Sequence, residues 1–291
     1  MKTVALSDIV VYFSQGSGIC FEIGRQFLLH GCSGLVICGR RSNFLEKAAK
    51  VLNDSVGAEL CIYKTCDVRD PDQCAAAVQL AISYFGHLDI LVNGAAGNFL
   101  SEASTLRPKG FRTVMDIDAM GTFNMCHAAF PALKQSKLGA AIVNISATLQ
   151  YGATWYQVHA SAAKSAVDSL TRSLALEWGH HSIRVNGIAP GPIANTPGMA
   201  KLAPGLDSSI SDMVQEGIPL GRMGEARDIG LAAIYLCSAS GSFVTGTVLV
   251  VDGGEWLYKP PMVPREMVEQ LSIKVEEKSR ALEPPPISSK L

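Results

Sequence analysis

The sequence predicts an α/β fold with a single doubly wound parallel sheet and helices on both of its faces. Short apolar runs alternate with helical stretches along most of the chain, which is typical of parallel strands joined by helical crossovers. Glycine-containing turns follow several of these runs. No internal repeat or change in composition divides residues 8–258, so we expect one domain of the Rossmann type.

The individual elements follow from the length and spacing of the apolar residues. Strands are expected over 8–13, 35–38, 60–63, 88–92, 141–145, 183–188 and 247–251. Helices are expected over 21–30, 43–52, 72–85, 108–135, 158–178 and 226–237. The helix 158–178 has one apolar face and a second face of small residues. We therefore expect it to pack on two sides, one of them a subunit interface.

The composition changes near the C-terminal end of the chain. Proline pairs and triplets bracket a charged segment in which Met267, Leu271 and Val275 recur at four-residue spacing. This spacing predicts a short amphipathic helix, followed by an extended tail. The predicted organisation is therefore a folded domain over 1–258 and a C-terminal extension over 259–291.

Composition and charge exclude several classes of function. A net charge of −1 gives no electrostatic reason to expect nucleic acid or an anionic membrane as a partner. No apolar run approaches the ~18 residues that span a bilayer, and the chain does not start like a secretory signal peptide. The eight cysteines show no spacing typical of a metal site. We expect a soluble, intracellular protein without a metal.

The loop between the first strand and the first helix is a candidate binding site for a dinucleotide pyrophosphate. Backbone amides and a helix N-terminus bind phosphates at this place in doubly wound sheets. The loop, Ser14–Cys20, carries an incomplete glycine pattern, and an ordinary turn without a ligand is the alternative. Its candidate binding residues are Gly16, Ser17, Gly18 and Ile19.

Arg40 and Arg41 stand at the end of the second predicted strand. In this topology that position lies beside the adenosine ribose, where an acidic residue selects NAD and cationic groups suit the 2′-phosphate of NADP. The two arginines therefore indicate NADPH, with a pair of solvated side chains as the alternative.

Four further motifs are Asn93-Gly-Ala-Ala96, Asn144-Ile-Ser146, Lys164 and Pro190-Gly191. Together with the glycine loop and the two arginines, they resemble the short-chain dehydrogenase/reductase family over about residues 8–255. The resemblance implies that residues 1–258 form a Rossmann-type reductase domain that binds NADP.

The chain departs from that family at the positions of its proton-transfer groups. In the family, a tyrosine four residues before the lysine exchanges a proton with a carbonyl or alcohol oxygen. This chain keeps Lys164 but has Ala160 at the tyrosine position, Ala147 at the serine position and Asp118 at the asparagine position. Alanine cannot transfer a proton, so the protein is either a non-catalytic scaffold or the enzyme of a different reduction.

The altered set of residues is similar to that of the peroxisomal 2,4-dienoyl-CoA reductases, above all their plant members. The matching segments are Ala95–Phe99, Val114–Asp118, Met120–Ala129, Asn144–Leu149, Gln157–Ala160 and Ala189–Met199. The resemblance implies NADPH-dependent reduction of a trans-2,4-dienoyl-CoA to a trans-3-enoyl-CoA, in the peroxisomal β-oxidation of unsaturated fatty acids. It also implies a homotetramer.

The resemblance assigns roles residue by residue. Asp118 and Lys164 are the implied catalytic pair, which positions a water that protonates the substrate, and Lys164 also binds the nicotinamide ribose. The other implied cofactor-binding residues are Asp67 at the adenine, Asn93, and Pro190, Gly191, Ile193 and Thr196 at the nicotinamide end. The implied acyl-CoA-binding residues are Arg69, Phe99, Arg107, Lys109 and Lys201.

The phosphate loop departs from the family pattern in two places. Ser14 replaces the first glycine and Cys20 the third, where a side chain separates the helix from the strand. We expect these changes to weaken cofactor binding by roughly 1–3 kcal/mol, the free energy of a strained backbone position. They leave open a diverged member that binds acyl-CoA or assembles with active partners. A further alternative is another short-chain oxidoreductase of acyl-CoAs, against which the absence of the tyrosine and the serine argues.

The sequence ends with Ser289-Lys290-Leu291. This tripeptide is an address that the peroxisomal import receptor reads. It agrees with the lipid substrate that the resemblance implies, and we expect the protein in the peroxisomal matrix.

Overall fold

The computed structural model describes the backbone of residues 9–13 and all atoms of residues 18–202 and 214–281. Ser14, Gly16 and Ser17 of the predicted phosphate loop lie outside the described residues, as does the terminal Ser289–Leu291 signal. The chain divides into two compact units, Met1–Trp256 and Leu257–Leu291. The composition of the sequence had placed this boundary at residue 258.

The described strands of the first unit form one parallel sheet, as predicted. The strands are β1 (Ile9–Phe13), β2 (Gly34–Gly39), β3 (Cys61–Thr65), β4 (Ile90–Asn93), β5 (Ala140–Ile145), β6 (Ile183–Pro190) and β7 (Val248–Val251). Their order in the sheet is β3-β2-β1-β4-β5-β6-β7. The direction of winding reverses between β1 and β4, and in such sheets ligands bind outside the carboxyl ends of the strands at this point.

Helices cover both faces of the sheet. They are α1 (Gly18–Leu29), α2 (Ser42–Val56), α3 (Pro71–Phe85), α4 (Pro108–Met115), α5 (Gly121–Leu133), α6 (Val158–Trp178), α7 (Pro197–Leu202) and α8 (Ala226–Cys237). Leu35 and Ile37 of β2 pack in one hydrophobic cluster with α1, α2 and α8. Val36 and Cys38 pack in a second cluster with α3, α5 and α6. The alternation along β2 shows that the sheet is buried on both faces.

The predicted helix over 108–135 is interrupted in the structure. Between α4 and α5, residues Asp116–Met120 form a π-helical turn, which holds more residues per turn than an α-helix. Apolar spacing cannot reveal such a turn, because it changes the phase of the helix without a change in polarity. The prediction of one regular helix was wrong here, and the π turn carries Asp118.

The second unit contains the predicted amphipathic helix, α9 (Val268–Ala281). In the described parts of both units, no helix has the length and apolar character needed to cross a membrane.

The start of α5 presses directly on the loop that follows β3. A Cβ atom at Gly121 would lie 2.4 Å from Cγ2 of Val68, and Asn124 Nδ2 donates a hydrogen bond of 2.9 Å to the Val68 carbonyl. This close contact fixes the π turn against the loop that bears Asp67.

We predict that Gly121→Ala lowers the free energy of unfolding by about 1–3 kcal/mol, because the added methyl group overpacks the contact with Val68. Gly152→Ala is the matched control, since a Cβ atom there meets no other atom within 4 Å. Urea denaturation of both variants measures the difference. Equal midpoints for the two variants would show that the contact is not tight.

Candidate active site

A chain of buried hydrogen bonds ties the sheet to α6. Asn93 and Asn144 are register partners at the carboxyl ends of β4 and β5. Asn93 Nδ2 donates to Asn144 Oδ1 over 2.9 Å, and Asn144 Nδ2 donates to Thr171 Oγ1 over 2.9 Å. Because Thr171 lies on α6, these bonds fix the helix that carries Lys164 relative to the strand ends.

Asp118 and Lys164 form a buried ion pair at this edge of the sheet. Lys164 Nζ lies 3.2 Å from Asp118 Oδ2, and the carboxylate is completely buried. The backbone N–H of Gly97 donates to Asp118 Oδ1 over 2.8 Å, and Lys164 Nζ donates to the Ile145 carbonyl over 3.0 Å. Both charged groups are thus held on two sides, an arrangement suited to the transfer of a proton at a fixed place.

Ala147 and Ala160 have side chains that cannot donate a proton. Ala160 is buried on α6, one turn before Lys164, and Ala147 follows the end of β5. Ser146, next to Ala147, donates its hydroxyl to the buried carboxylate of Asp168. The titratable groups at this place are therefore the buried ion pair of Asp118 and Lys164, with alanine at the expected tyrosine and serine positions.

Asp168 is a buried residue of this region that the sequence reading did not single out. It accepts hydrogen bonds from Ser146 and from Gln150 Nε2, the latter over 2.6 Å. The two contacts anchor the segment after β5 to α6. Its position four residues after Lys164 places it on the same helix face, which was the available signal.

The N-terminus of α1 lies next to the loop that follows β6. Gly18 has φ +73, and a Cβ atom there would lie 3.2 Å from Cδ of Pro197. Thr196 Oγ1 donates to the Ile193 carbonyl over 2.9 Å and accepts from the Met199 N–H over 3.2 Å. The structure thus brings together the start of the predicted pyrophosphate site and the predicted nicotinamide loop.

The residues predicted to bind the adenosine follow the carboxyl ends of β2 and β3. Arg69 Nε donates to Asp67 Oδ1 over 2.9 Å, and this bond holds the pKa of Asp67 below its ordinary value, with a smaller contribution from the charge of Arg40. The guanidinium of Arg41 lies over the ring of Phe44 at 3.8 Å. Arg69, which the resemblance assigns to acyl-CoA, is thus bound to Asp67, which the resemblance assigns to the adenine.

A surface cavity of about 360 Å³ is lined by three of the residues predicted to bind acyl-CoA, and we call it the acyl-side cavity. Phe99, Arg107 and Lys109 all line it, together with Leu106. A ring and two cations around one cavity suit an acyl thioester that carries phosphate groups. Lys201, at the end of α7, is not among its lining residues.

The residues at the strand ends fit a nicotinamide dinucleotide. Gly18 starts α1 in a left-handed conformation that favours glycine, and a helix N-terminus of this kind binds phosphate. Asn93 Oδ1 is buried and has no hydrogen-bond partner among the described residues. At Gly191 a Cβ atom would lie 2.5 Å from Cβ of Asp252, so the loop after β6 requires glycine to follow its path.

Comparison with known proteins agrees with this geometry. Residues 14–255 match the family described as enoyl-(acyl carrier protein) reductase. A solved short chain dehydrogenase from Bacillus anthracis is 32% identical and superimposes with a TM-score of 0.79, over 88% of this chain and 99% of that one. The chain belongs to the short-chain dehydrogenase/reductase family.

Two other members of the family are informative about activity and cofactor. A protein of Arabidopsis thaliana named peroxisomal 2,4-dienoyl-CoA reductase [(3E)-enoyl-CoA-producing] is 52% identical over 96% of this chain and 94% of its own length. A gluconate 5-dehydrogenase from Burkholderia cenocepacia, solved with NADP and tartrate, is 26% identical with a TM-score of 0.80 over 88% of this chain and 98% of that one. Members of this fold bind a nicotinamide cofactor outside the carboxyl ends of the strands.

Cys20 occupies the inner side of α1, at the third glycine position of the family loop. Its side chain is 6% exposed, and its thiol lies 3.8 Å from the Gly94 carbonyl. The side chain therefore packs between α1 and the end of β4, in the gap that a glycine would close.

We predict that Cys20→Gly tightens NADPH binding by about 1–3 kcal/mol, roughly 5- to 150-fold, because the backbone regains its close approach. The same change should lower the free energy of unfolding by about 1 kcal/mol, the effect of a glycine inside a helix. Calorimetric titration with NADPH and thermal unfolding measure the two quantities. Cys237→Ala, a buried cysteine of the same hydrophobic cluster on α8, is the control and should leave the affinity unchanged. Unaltered affinity in Cys20→Gly would contradict the role of this position.

Proposed function

We propose that this protein is an NADPH-dependent 2,4-dienoyl-CoA reductase of peroxisomes, which converts trans-2,4-dienoyl-CoA into trans-3-enoyl-CoA. The buried pair of Asp118 and Lys164, beside Ala147 and Ala160, carries the proposal. The name of the Arabidopsis relative supports it. The acyl-side cavity, with its aromatic ring and two cationic side chains, is consistent with a CoA thioester.

The chemistry explains why the tyrosine is dispensable. When bound, the cofactor supplies a hydride to Cδ of the substrate. The chain must then stabilise negative charge that reaches the thioester oxygen, and must deliver a proton to Cα. No alkoxide has to be protonated, so this reduction does not require a tyrosine at the position of Ala160.

Asp118 and Lys164 are the groups that handle the proton. The Gly97 N–H and the Lys164 ammonium hold the Asp118 carboxylate, while the Ile145 carbonyl holds the ammonium. A lysine ammonium has three N–H groups, so one remains with which Lys164 can bind either a water or the nicotinamide ribose. We propose that the pair positions the water from which Cα receives its proton.

The preference for NADPH rests on Arg40 and Arg41 at the carboxyl end of β2. Two guanidinium groups at this edge suit the 2′-phosphate, with which arginine can form paired hydrogen bonds. The charge of Arg40 also helps to lower the pKa of Asp67. The residues proposed to bind the 2′-phosphate and the adenine are therefore close together.

We expect Arg40→Ala and Arg41→Ala each to weaken NADPH binding by about 1.5–3 kcal/mol, the contribution of a hydrogen bond to a charged group. NADH lacks the 2′-phosphate, so its binding should change little and serves as the internal control. Kinetics with both cofactors on each variant give the comparison. A parallel loss for NADH would show that the arginines do not read the phosphate.

The principal test of the function is the variant Asp118→Asn, which keeps the shape of the side chain and removes its charge. We expect kcat for a 2,4-dienoyl-CoA to fall by about 10²–10⁴-fold, the contribution of a positioned acid or base. Loss of absorbance of both NADPH and the conjugated diene measures the rate. Asp116→Asn is the control, because Asp116 lies in the same π turn and is partly exposed. Full activity in Asp118→Asn would overturn the role of this residue.

The altered phosphate loop favours a second candidate, a non-catalytic member that binds acyl-CoA or assembles with active partners. Ser14 and Cys20 motivate it. Folded protein that shows no binding of NADPH at millimolar concentration in calorimetry would support this alternative. Reduction of a 3-ketoacyl-CoA would instead indicate another short-chain oxidoreductase of acyl-CoAs.

We further propose that the protein works in the peroxisomal matrix as a homotetramer. The names of several relatives place them in peroxisomes. The terminal Ser289–Leu291 tripeptide would bind the import receptor. The small-residue face of α6 is the proposed contact between subunits.

A further inference from the structure

The ring of Phe99 is held by two different helices. The His159 ring of α6 lies 4.3 Å from it between centroids, with an angle of 39° between the planes. A Cβ atom at Gly110 of α4 would lie only 3.2 Å from Cζ of Phe99. The ring nevertheless remains 36% exposed and lines the acyl-side cavity. Its position is therefore set from within the protein, while one surface faces the space for the substrate.

Three consecutive residues after β4 make contacts with the catalytic side of the molecule. The Gly97 N–H binds Asp118, and Asn98 Nδ2 donates to Gln157 Oε1 over 2.5 Å. Phe99 then packs on His159. The same short stretch of backbone thus fixes the proton-handling carboxylate and the aromatic wall of the cavity.

The segment before α6 is arranged to receive this stretch. The carbonyl of Tyr156 accepts a hydrogen bond of 2.9 Å from the Ser101 N–H. Tyr156 has φ 62, a conformation that is uncommon for a residue with a side chain and persists only where its surroundings enforce it. The hydrogen bond between the loop after β4 and the segment before α6 therefore coexists with a strained backbone at Tyr156.

His159 is an unusual residue for its place. It is completely buried, and neither ring nitrogen makes a hydrogen bond of standard geometry within the described residues. Burial lowers the pKa of His159, although the backbone of Phe99 and the charge of Asp118 act in the opposite direction. Both the ring and the backbone of Phe99 are neighbours of this buried imidazole.

We propose that His159 is a positioning residue for the acyl-CoA substrate, and that it acts through Phe99. The inference rests on the proposed function of the cavity. An exposed ring on a loop must be ordered before it can form part of a binding wall, and the loss of rotamer freedom weakens binding. His159 and Gly110 order the ring in advance. The role is separate from proton transfer, which belongs to Asp118 and Lys164.

The test compares variants that alter the support of Phe99 in opposite ways. His159→Ala should raise the KM for a 2,4-dienoyl-CoA about 2- to 13-fold, the factor expected when one side chain must be ordered on binding. Neither kcat nor the KM for NADPH should change. His159→Phe keeps a ring against Phe99 and should restore the KM. The double variant His159→Ala/Phe99→Ala should match Phe99→Ala alone, because the two residues act as one unit.

Gly110→Ala provides an independent perturbation that does not remove a buried side chain. Its methyl group would displace the Phe99 ring and raise the KM, while alanine favours the helix and should not lower the midpoint of thermal unfolding. A merely structural role would not produce a higher KM in a protein of equal or greater stability.

Two readouts separate this inference from the proposed function. Calorimetric titration with hexanoyl-CoA measures acyl-CoA binding without turnover, and its Kd should follow the same order as the KM values. A wild-type protein that binds hexanoyl-CoA but does not reduce a dienoyl-CoA would overturn the function alone. The inference fails if His159→Phe is as impaired as His159→Ala, if the two single effects add, or if the wild-type protein does not bind acyl-CoA.

Discussion

The buried ion pair between Asp118 and Lys164 is the interaction on which the site depends. A charge removed from water costs several kcal/mol unless a partner and hydrogen bonds compensate it. Here the compensation comes from the Gly97 N–H, in the loop after β4, and from the Ile145 carbonyl, at the end of β5. Each of these backbone groups must be in place before the pair can form. The requirement couples the order of the loop after β4 to the position of α6.

The fold was predictable from the sequence because both faces of the sheet are buried. Strands covered on two sides are short apolar runs, and the crossovers between them carry helical spacing, so the two patterns are easy to tell apart. The sheet and its flanking helices are confirmed, as is the family. The π turn was not predictable, because the apolar residues on its two sides are compatible with one regular helix. The same turn determines that Asp118 faces the interior.

The site was predictable in part. Motif order indicated that Asp118 and Lys164 belong together, and the structure places them in contact; the roles given to them are still predictions. Spacing gave no warning that Arg69 would bind Asp67, because partners two residues apart outside regular structure follow no periodicity. His159 was missed for a related reason. A single histidine among small residues is expected to be an ordinary core residue. Only its ring contact with Phe99, which the sequence does not show, distinguishes His159.

The π turn also has a consequence for how this helix can change in evolution. Successive residues of an α-helix are rotated by about 100° about its axis. The extra residue of the π turn Asp116–Met120 therefore shifts the faces of α4 and α5 relative to each other. Substitutions in α4 can therefore reshape the acyl-side cavity while the face of α5 that packs under the sheet stays constant. Deletion of one residue would join the two segments in phase and turn the carboxylate away from its lysine. The independence of the cavity wall on α4 and the contact between Asp118 and Lys164 thus depend on the same irregular turn.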